Sequence, residues 1–165
     1  MPPRPAPSLK SRALRYLAAR EHSRAELQTK LAAHETAPGE LARVLDELTA
    51  KGFISEQRAA DSLLRRRAPR LGAARVLQEL RAKGLPSDVL KAAAEQLRGS
   101  EFARAHAVWA KKFAHPPQDA AERARHMRFL ASRGFSGEVV RRVLSAASAP
   151  PEAEDTWGSA ADSAP

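Results

Sequence analysis

Three helical runs in this chain stop in the same way. Leu48-Thr49-Ala50-Lys51-Gly52-Phe53, Leu80-Arg81-Ala82-Lys83-Gly84-Leu85 and Leu130-Ala131-Ser132-Arg133-Gly134-Phe135 each set a leucine, three residues, a glycine and a bulky apolar residue in order. A glycine past the last apolar-periodic position supplies the left-handed conformation that closes a helix. The basic residue before it suits the negative end of the helix dipole, and the apolar residue after it folds back on the last turn. Recurrence of such a unit predicts stacked helical modules, which work as a surface for something long rather than as a pocket.

Apolar residues recur at three-four spacing almost throughout, and no period-two pattern persists long enough for a strand. Nine helices are predicted. The first covers about Leu9 to Arg20 with Ala13, Leu14 and Leu17 inward, and the second opens on the capping box Ser23-Arg24-Ala25-Glu26. Pro38 starts a third, with Leu41, Val44, Leu45 and Leu48 inward, and Ser55 to Arg67 form a fourth. The fifth follows Gly72, with Val76, Leu77 and Leu80 inward. The sixth runs from Pro86 to about Leu97–Gly99, where it ends. The seventh, Ser100 to Ala114, stacks Phe102, His106, Trp109 and Phe113. The eighth starts at Asp119 with Ala124, Met127, Leu130 and Ala131 inward, and the ninth buries Val139, Val140, Val143 and Leu144.

These fall into an all-α, elongated, curved array of three tandem three-helix modules, at residues 9–54, 55–99 and 100–148. Gly84 and Gly134 stand 50 residues apart, each between the second and third helices of a module. Their counterpart in the first module, Leu31 to Glu35, lacks glycine, whereas Gly52 marks a joint between modules. Residues 1–8, with four prolines, and 149–165, rich in Ala, Pro, Ser and acid, are expected to be disordered tails. Trp157 in the second tail is either a docking residue for a partner or without an assigned role.

The charge is uneven. Basic residues number 28 against 19 acidic, for a net charge of +9, yet residues 149–165 hold four acids and no base, so the body carries about +13. Such a balance suits a polyanion or an acidic protein partner. There is no cysteine, hence no disulfide or thiolate chemistry, and no apolar run long enough to span a bilayer. A soluble, cytoplasmic protein is expected.

No catalytic constellation is visible. His22, His34, His106, His115 and His126 lack the helical spacing of metal ligands, no glycine loop cradles phosphate, and the serines fall at helix starts. His106 reads as a partly buried packing residue. No enzyme activity, cofactor or metal is expected. With eight aromatic residues, mostly on inward stripes, single-strand base stacking has little to work with.

The basic residues are the better candidates. Arg65, Arg66, Arg67 and Arg70 cluster where the fourth helix meets the fifth, and Arg75 points away from the inward stripe of the fifth. Lys111 and Lys112 end the seventh helix, while Arg123, Arg125, Arg128, Arg133, Arg141 and Arg142 crowd the last two. Arginine's planar fork favours phosphate and carboxylate.

Four segments, in order and at compatible distances, carry a family resemblance. They are Leu17 to Leu27 with Lys30-Leu31, Leu45 to Phe53, Leu77 to Leu85 with its Glu-Leu-Arg-Ala-Lys-Gly core, and Arg128 to Ser136 with Val139 to Leu144. Over about residues 9–147 the chain resembles the RecX family. The resemblance implies tandem three-helix modules in a bacterial, cytoplasmic protein that binds the RecA recombinase; a monomer is expected. It would lie along the RecA filament on DNA and restrain ATP hydrolysis, strand exchange and co-protease function in recombination, DNA repair and the SOS response. Where the family has paired aspartates, this chain has Ile54-Ser55-Glu56-Gln57-Arg58-Ala59-Ala60. Glu56 replaces one acid, the other is lost, and Ser55 can still cap the helix. Two other readings stand beside this one. An independent DNA-binding protein would use Arg24 to Leu48 as a helix-turn-helix, against which the long loop His34 to Gly39 counts. A helical scaffold would have no nucleic-acid role.

Overall fold

The computed structural model describes residues 5–150, so half of the first expected tail and nearly all of the second, with Trp157, lie outside the described residues. These residues form α1 (Leu9–Ala19), α2 (Arg24–Leu31), a 3-10 turn (Ala32–His34), α3 (Glu40–Ala50), α4 (Glu56–Arg67), α5 (Ala73–Ala82), α6 (Ser87–Lys112), α7 (Ala120–Ser132) and α8 (Gly137–Ala147). The chain is all-helical. Eight α-helices replace the expected nine, because α6 runs through the expected break at Leu97–Gly99.

The reason lies on the buried side of α6. Val89, Ala93, Leu97, Glu101, Ala105 and Trp109 are all buried and follow one another at intervals of four. At 3.6 residues per turn each interval overshoots by about 40°, so the stripe winds about 200° around the helix. Its first half therefore faces one core and its second half another. An exposed glycine costs about 1 kcal/mol relative to alanine, too little at Gly99 to break a helix so held at both ends.

Three buried clusters result. Leu9, Ala13, Leu27, Leu31, Leu41, Leu45, Leu48 and Ile54 unite α1 to α3. Ala60, Leu63, Leu64, Val76, Leu80 and Leu85 join α4 and α5 to the first half of α6. Trp109, Leu130, Phe135, Val140, Val143 and Leu144 join its second half to α7 and α8. The units follow one another instead of closing on one core, as expected of small modules that cannot bury enough surface alone.

All three terminating glycines are left-handed, with φ of 77° at Gly52, 68° at Gly84 and 86° at Gly134. The residues after them differ. Leu85 and Phe135 are buried, but Phe53 is 49 % exposed and Ile54 takes the buried place instead. The glycines differ as well. A Cβ on Gly84 would stand 2.6 Å from Ala25 Cβ and one on Gly134 2.5 Å from Arg75 Cγ, whereas one on Gly52 would meet nothing. Gly84 and Gly134 are thus docking surfaces for the preceding unit. Among the described residues no unit packs before the first, and its corresponding turn, Ala32–His34, does without glycine.

The two joints share a plan. Ser23, the N-cap of α2, donates from Oγ to the carbonyl of Lys83 before Gly84, while Gly72, the N-cap of α5, donates its N–H to the carbonyl of Arg133 before Gly134. The first helical residue is held too. Arg24 N–H donates to Glu56 Oε1 at 3.0 Å, and Ala73 N–H to Glu101 Oε1 at 3.3 Å. Both carboxylates come from a Ser-Glu pair, Ser55-Glu56 and Ser100-Glu101. Glu56 is therefore a joint residue.

Candidate functional site

The second joint places a basic groove along α6. At its centre Arg104 reaches from α6 across the end of α4. One guanidinium nitrogen donates to the carbonyls of Ala68 and Leu71, the other to that of Leu97 at 2.9 Å, and Nε donates to Ser100 Oγ at 3.0 Å. The bonds to Ala68 and Leu71 satisfy carbonyls left free where α4 ends and put a positive charge at the negative end of its dipole. Burial lowers the Arg104 pKa and the neighbouring Glu101 opposes that shift, but a guanidinium stays charged at neutral pH.

Two adjoining hollows flank this arginine. A cavity of about 720 Å³ between α4 and α6 has Leu64, Ala68, Leu97, Ala103 and Ala107 as its floor, with Arg65, Arg104, Lys111 and one acid, Asp61, at its edges. It shares Pro69 and Lys111 with a smaller hollow of about 370 Å³, lined by Arg70, Val108, Lys112, Phe129 and Arg133. Arg133 sits over Phe129, its guanidinium carbon 3.8 Å from the ring centre. Among the described residues none of Arg65, Arg70, Lys111 and Lys112 forms an ion pair, so their charge is available to a ligand.

The expected basic residues thus divide. Arg65, Arg70, Lys111 and Lys112 meet in the groove. Arg67 instead pairs with Glu79 at 2.9 Å, and Arg66 bonds the carbonyl of Ser62 on its own helix. Arg75 is exposed at its tip while its stem packs on Gly134. Arg125 lies 3.9 Å from Glu122 and over Phe113, and Arg142 lies over Phe102 at 4.9 Å. Arg123 is half-buried, and Arg128 and Arg141 are exposed outside the lining of both hollows.

The histidines also rearrange the expected picture. His106 is exposed, between the rings of Phe102 and Trp109, rather than packed inside. His126, which carries no sequence signal of its own, is buried between α6 and α7. It stacks on Phe113 at 3.6 Å and accepts from Trp109 Nε1 at 3.2 Å through Nδ1. Burial first, then Arg125, pushes its pKa below the ordinary imidazole value. Neutral His126 is a strut of the third core. Among the described residues no group of three or more acids and histidines could hold a metal ion, and no helix is long and apolar enough to cross a membrane.

Comparison with known proteins gives a concordant result. Family models described as the first and the third three-helix domain of RecX match residues 10–48 and 100–144. "Regulatory protein RecX" of Leptothrix cholodnii is 54 % identical over 141 residues, covering 86 % of this chain and 90 % of that one. The protein of the same name from Ralstonia nicotianae is 49 % identical over 147 residues, covering 89 % and 92 %. The crystal structure of RecX from Lactobacillus salivarius superposes with a TM-score of 0.73 over 84 % of this chain and 93 % of that one. At 17 % identity that likeness speaks for the fold. At 49–54 % identity to relatives matched over nearly their whole length, this chain belongs to the RecX family of regulatory proteins.

Proposed function

We propose that this protein is a cytoplasmic, monomeric, non-enzymatic regulator that binds the RecA recombinase filament and restrains its ATPase, strand-exchange and co-protease activities, with the groove along α6 as a principal contact. The observation that carries the contact is that Arg65, Arg70, Lys111 and Lys112, without ion-pair partners among the described residues, stand around an apolar floor. Such a groove complements acidic protein side chains and, where filament geometry exposes it, phosphate. The division into modules at 9–54, 55–99 and 100–148 lets successive units follow an elongated partner, with α6 fixing the second to the third.

The test is inhibition of the host's own RecA ATPase on single-stranded DNA. Arg65→Glu with Lys111→Glu is expected to raise the half-inhibitory concentration about tenfold or more with helix content unchanged, since both heads are exposed. Arg67→Glu, outside the groove, should do far less. Equal inhibition by native and groove-reversed protein would contradict the assignment. Binding to bare duplex separates the direct DNA-binding alternative: neutralising four phosphates gives a log-log salt slope of about −3.6, and a filament regulator retains filament affinity where that binding has faded.

A further inference from the structure

The groove has a complement within the same chain. Residues 151–165 carry Glu152, Glu154, Asp155 and Asp162, no basic residue, and a single aromatic, Trp157. The groove offers the converse, cations above an apolar floor of leucine and alanine. The described chain ends at Pro150, three residues beyond α8. Fully extended, the seven residues 151–157 carry Trp157 up to about 25 Å from Pro150, and all fifteen span about 50 Å, against about 39 Å for the whole of α6.

We infer that the acidic segment 151–165 docks in the α4–α6 groove of its own chain, with Trp157 on the Leu64–Ala68–Leu97 floor and its carboxylates beside Arg65 and Lys111, and competes there with an external acidic partner. Each exposed ion pair is weak, but four acids enter together and the tether holds them at an effective concentration of about a millimolar. Contact of this kind fades with salt, because the Debye length falls from about 10 Å at 0.1 M to about 3 Å at 1 M. The regulatory consequence rests on the groove's being the RecA contact; the docking does not.

Fluorine NMR of the full chain labelled with 5-fluorotryptophan tests it, since there are only two tryptophans and Trp157→Phe assigns them. The Trp109 signal, from a residue 7 % exposed, reports whether the fold is intact. At low salt the Trp157 signal is expected away from the free-tryptophan position. It should return there in Arg65→Glu with Lys111→Glu, in the variant with Glu152, Glu154, Asp155 and Asp162 changed to their amides, and at about 0.5 M salt. A free position in the native chain, or a shift indifferent to groove reversal, overturns the proposal. So does a shift lost on dilution, which would mean docking on a second copy. In the RecA ATPase assay at low salt, the amide variant is expected to inhibit at about three- to tenfold lower concentration. If Trp157 is free while groove reversal still relieves inhibition, only the docking fails. If Trp157 responds while filaments ignore groove reversal, the docking stands and the filament contact falls.

Discussion

The joint of α2 with the α5–α6 turn and the joint of α5 with the α7–α8 turn repeat one arrangement with different forces. At the first, side chains dominate: Glu26 binds Lys83 at 2.6 Å and Arg20 at 2.9 Å, and Arg58 pairs with Glu21. At the second, backbone lies on backbone. A Cβ on Gly72 would stand 2.1 Å from the carbonyl carbon of Gly134, and the N–H of Gly72 bonds Arg133. Glu101, 7 % exposed, joins Ala73 and Ser136, and α6 runs through both units. A joint held by part-exposed charge pairs is weakened by salt and acid more than one held by backbone contacts. The groove is built on the second, where its cations need fixed spacing.

The sharpest way to break this contrast is Gly72→Ala. The new methyl meets backbone, which cannot rotate aside, so a loss of about 3 kcal/mol or more is expected in urea unfolding. The terminating glycines come next. Gly134→Ala, strained in φ and pressed on Arg75, should cost about 2–3 kcal/mol, Gly84→Ala about 2, and Gly52→Ala, with open space around it, about 1. Equal losses at Gly52 and Gly134 would dissolve the distinction between docking and merely terminating glycines.

Glu101→Gln keeps an acceptor but removes its charge. A loss of about 1–2 kcal/mol is expected, together with faster amide exchange at Ala73 and Ser136. The acid response of Glu26 is the smallest effect. Burial alone pushes its carboxyl up, but bonds from Arg20, Lys83 and the Ser23 N–H bring it down to about 2 from an ordinary 4.5. Its contribution is therefore complete above about pH 4.5 and is lost as pH falls towards 2. With the Arg20 side chain 35 % exposed, that amounts to about 1 kcal/mol, readable as an acid-dependent loss of protection at the first joint that Glu26→Gln abolishes.

Much of this was legible in order and little in depth. Capping at Ser23, Ser55 and Asp119, the left-handed glycines and the α8 stripe follow from local backbone chemistry, and the structure contains them. The continuity of α6 was hidden because its buried stripe winds, so each half reads as a separate amphipathic helix with a glycine between. His126, Glu101 and Arg104 were missed because their partners lie 17 to 36 residues away and become neighbours only on packing. The same holds for the arginines. Arg65 and Arg67 are two residues apart, yet one edges the groove and the other pairs with Glu79, a difference set by how α4 is rotated on its neighbours.

The difference between the joints can be read directly by native-state hydrogen exchange at about 0.05 and 1 M salt. The amide of Arg24, bonded to Glu56, reports the first joint, with that of Glu26 reporting the cap whose Ser23 hydroxyl binds Lys83; those of Gly72 and Ala73 report the second. Protection at Arg24 and Glu26 is expected to fall with salt while that at Gly72 and Ala73 holds. An equal or greater loss at Gly72 and Ala73 would contradict the account.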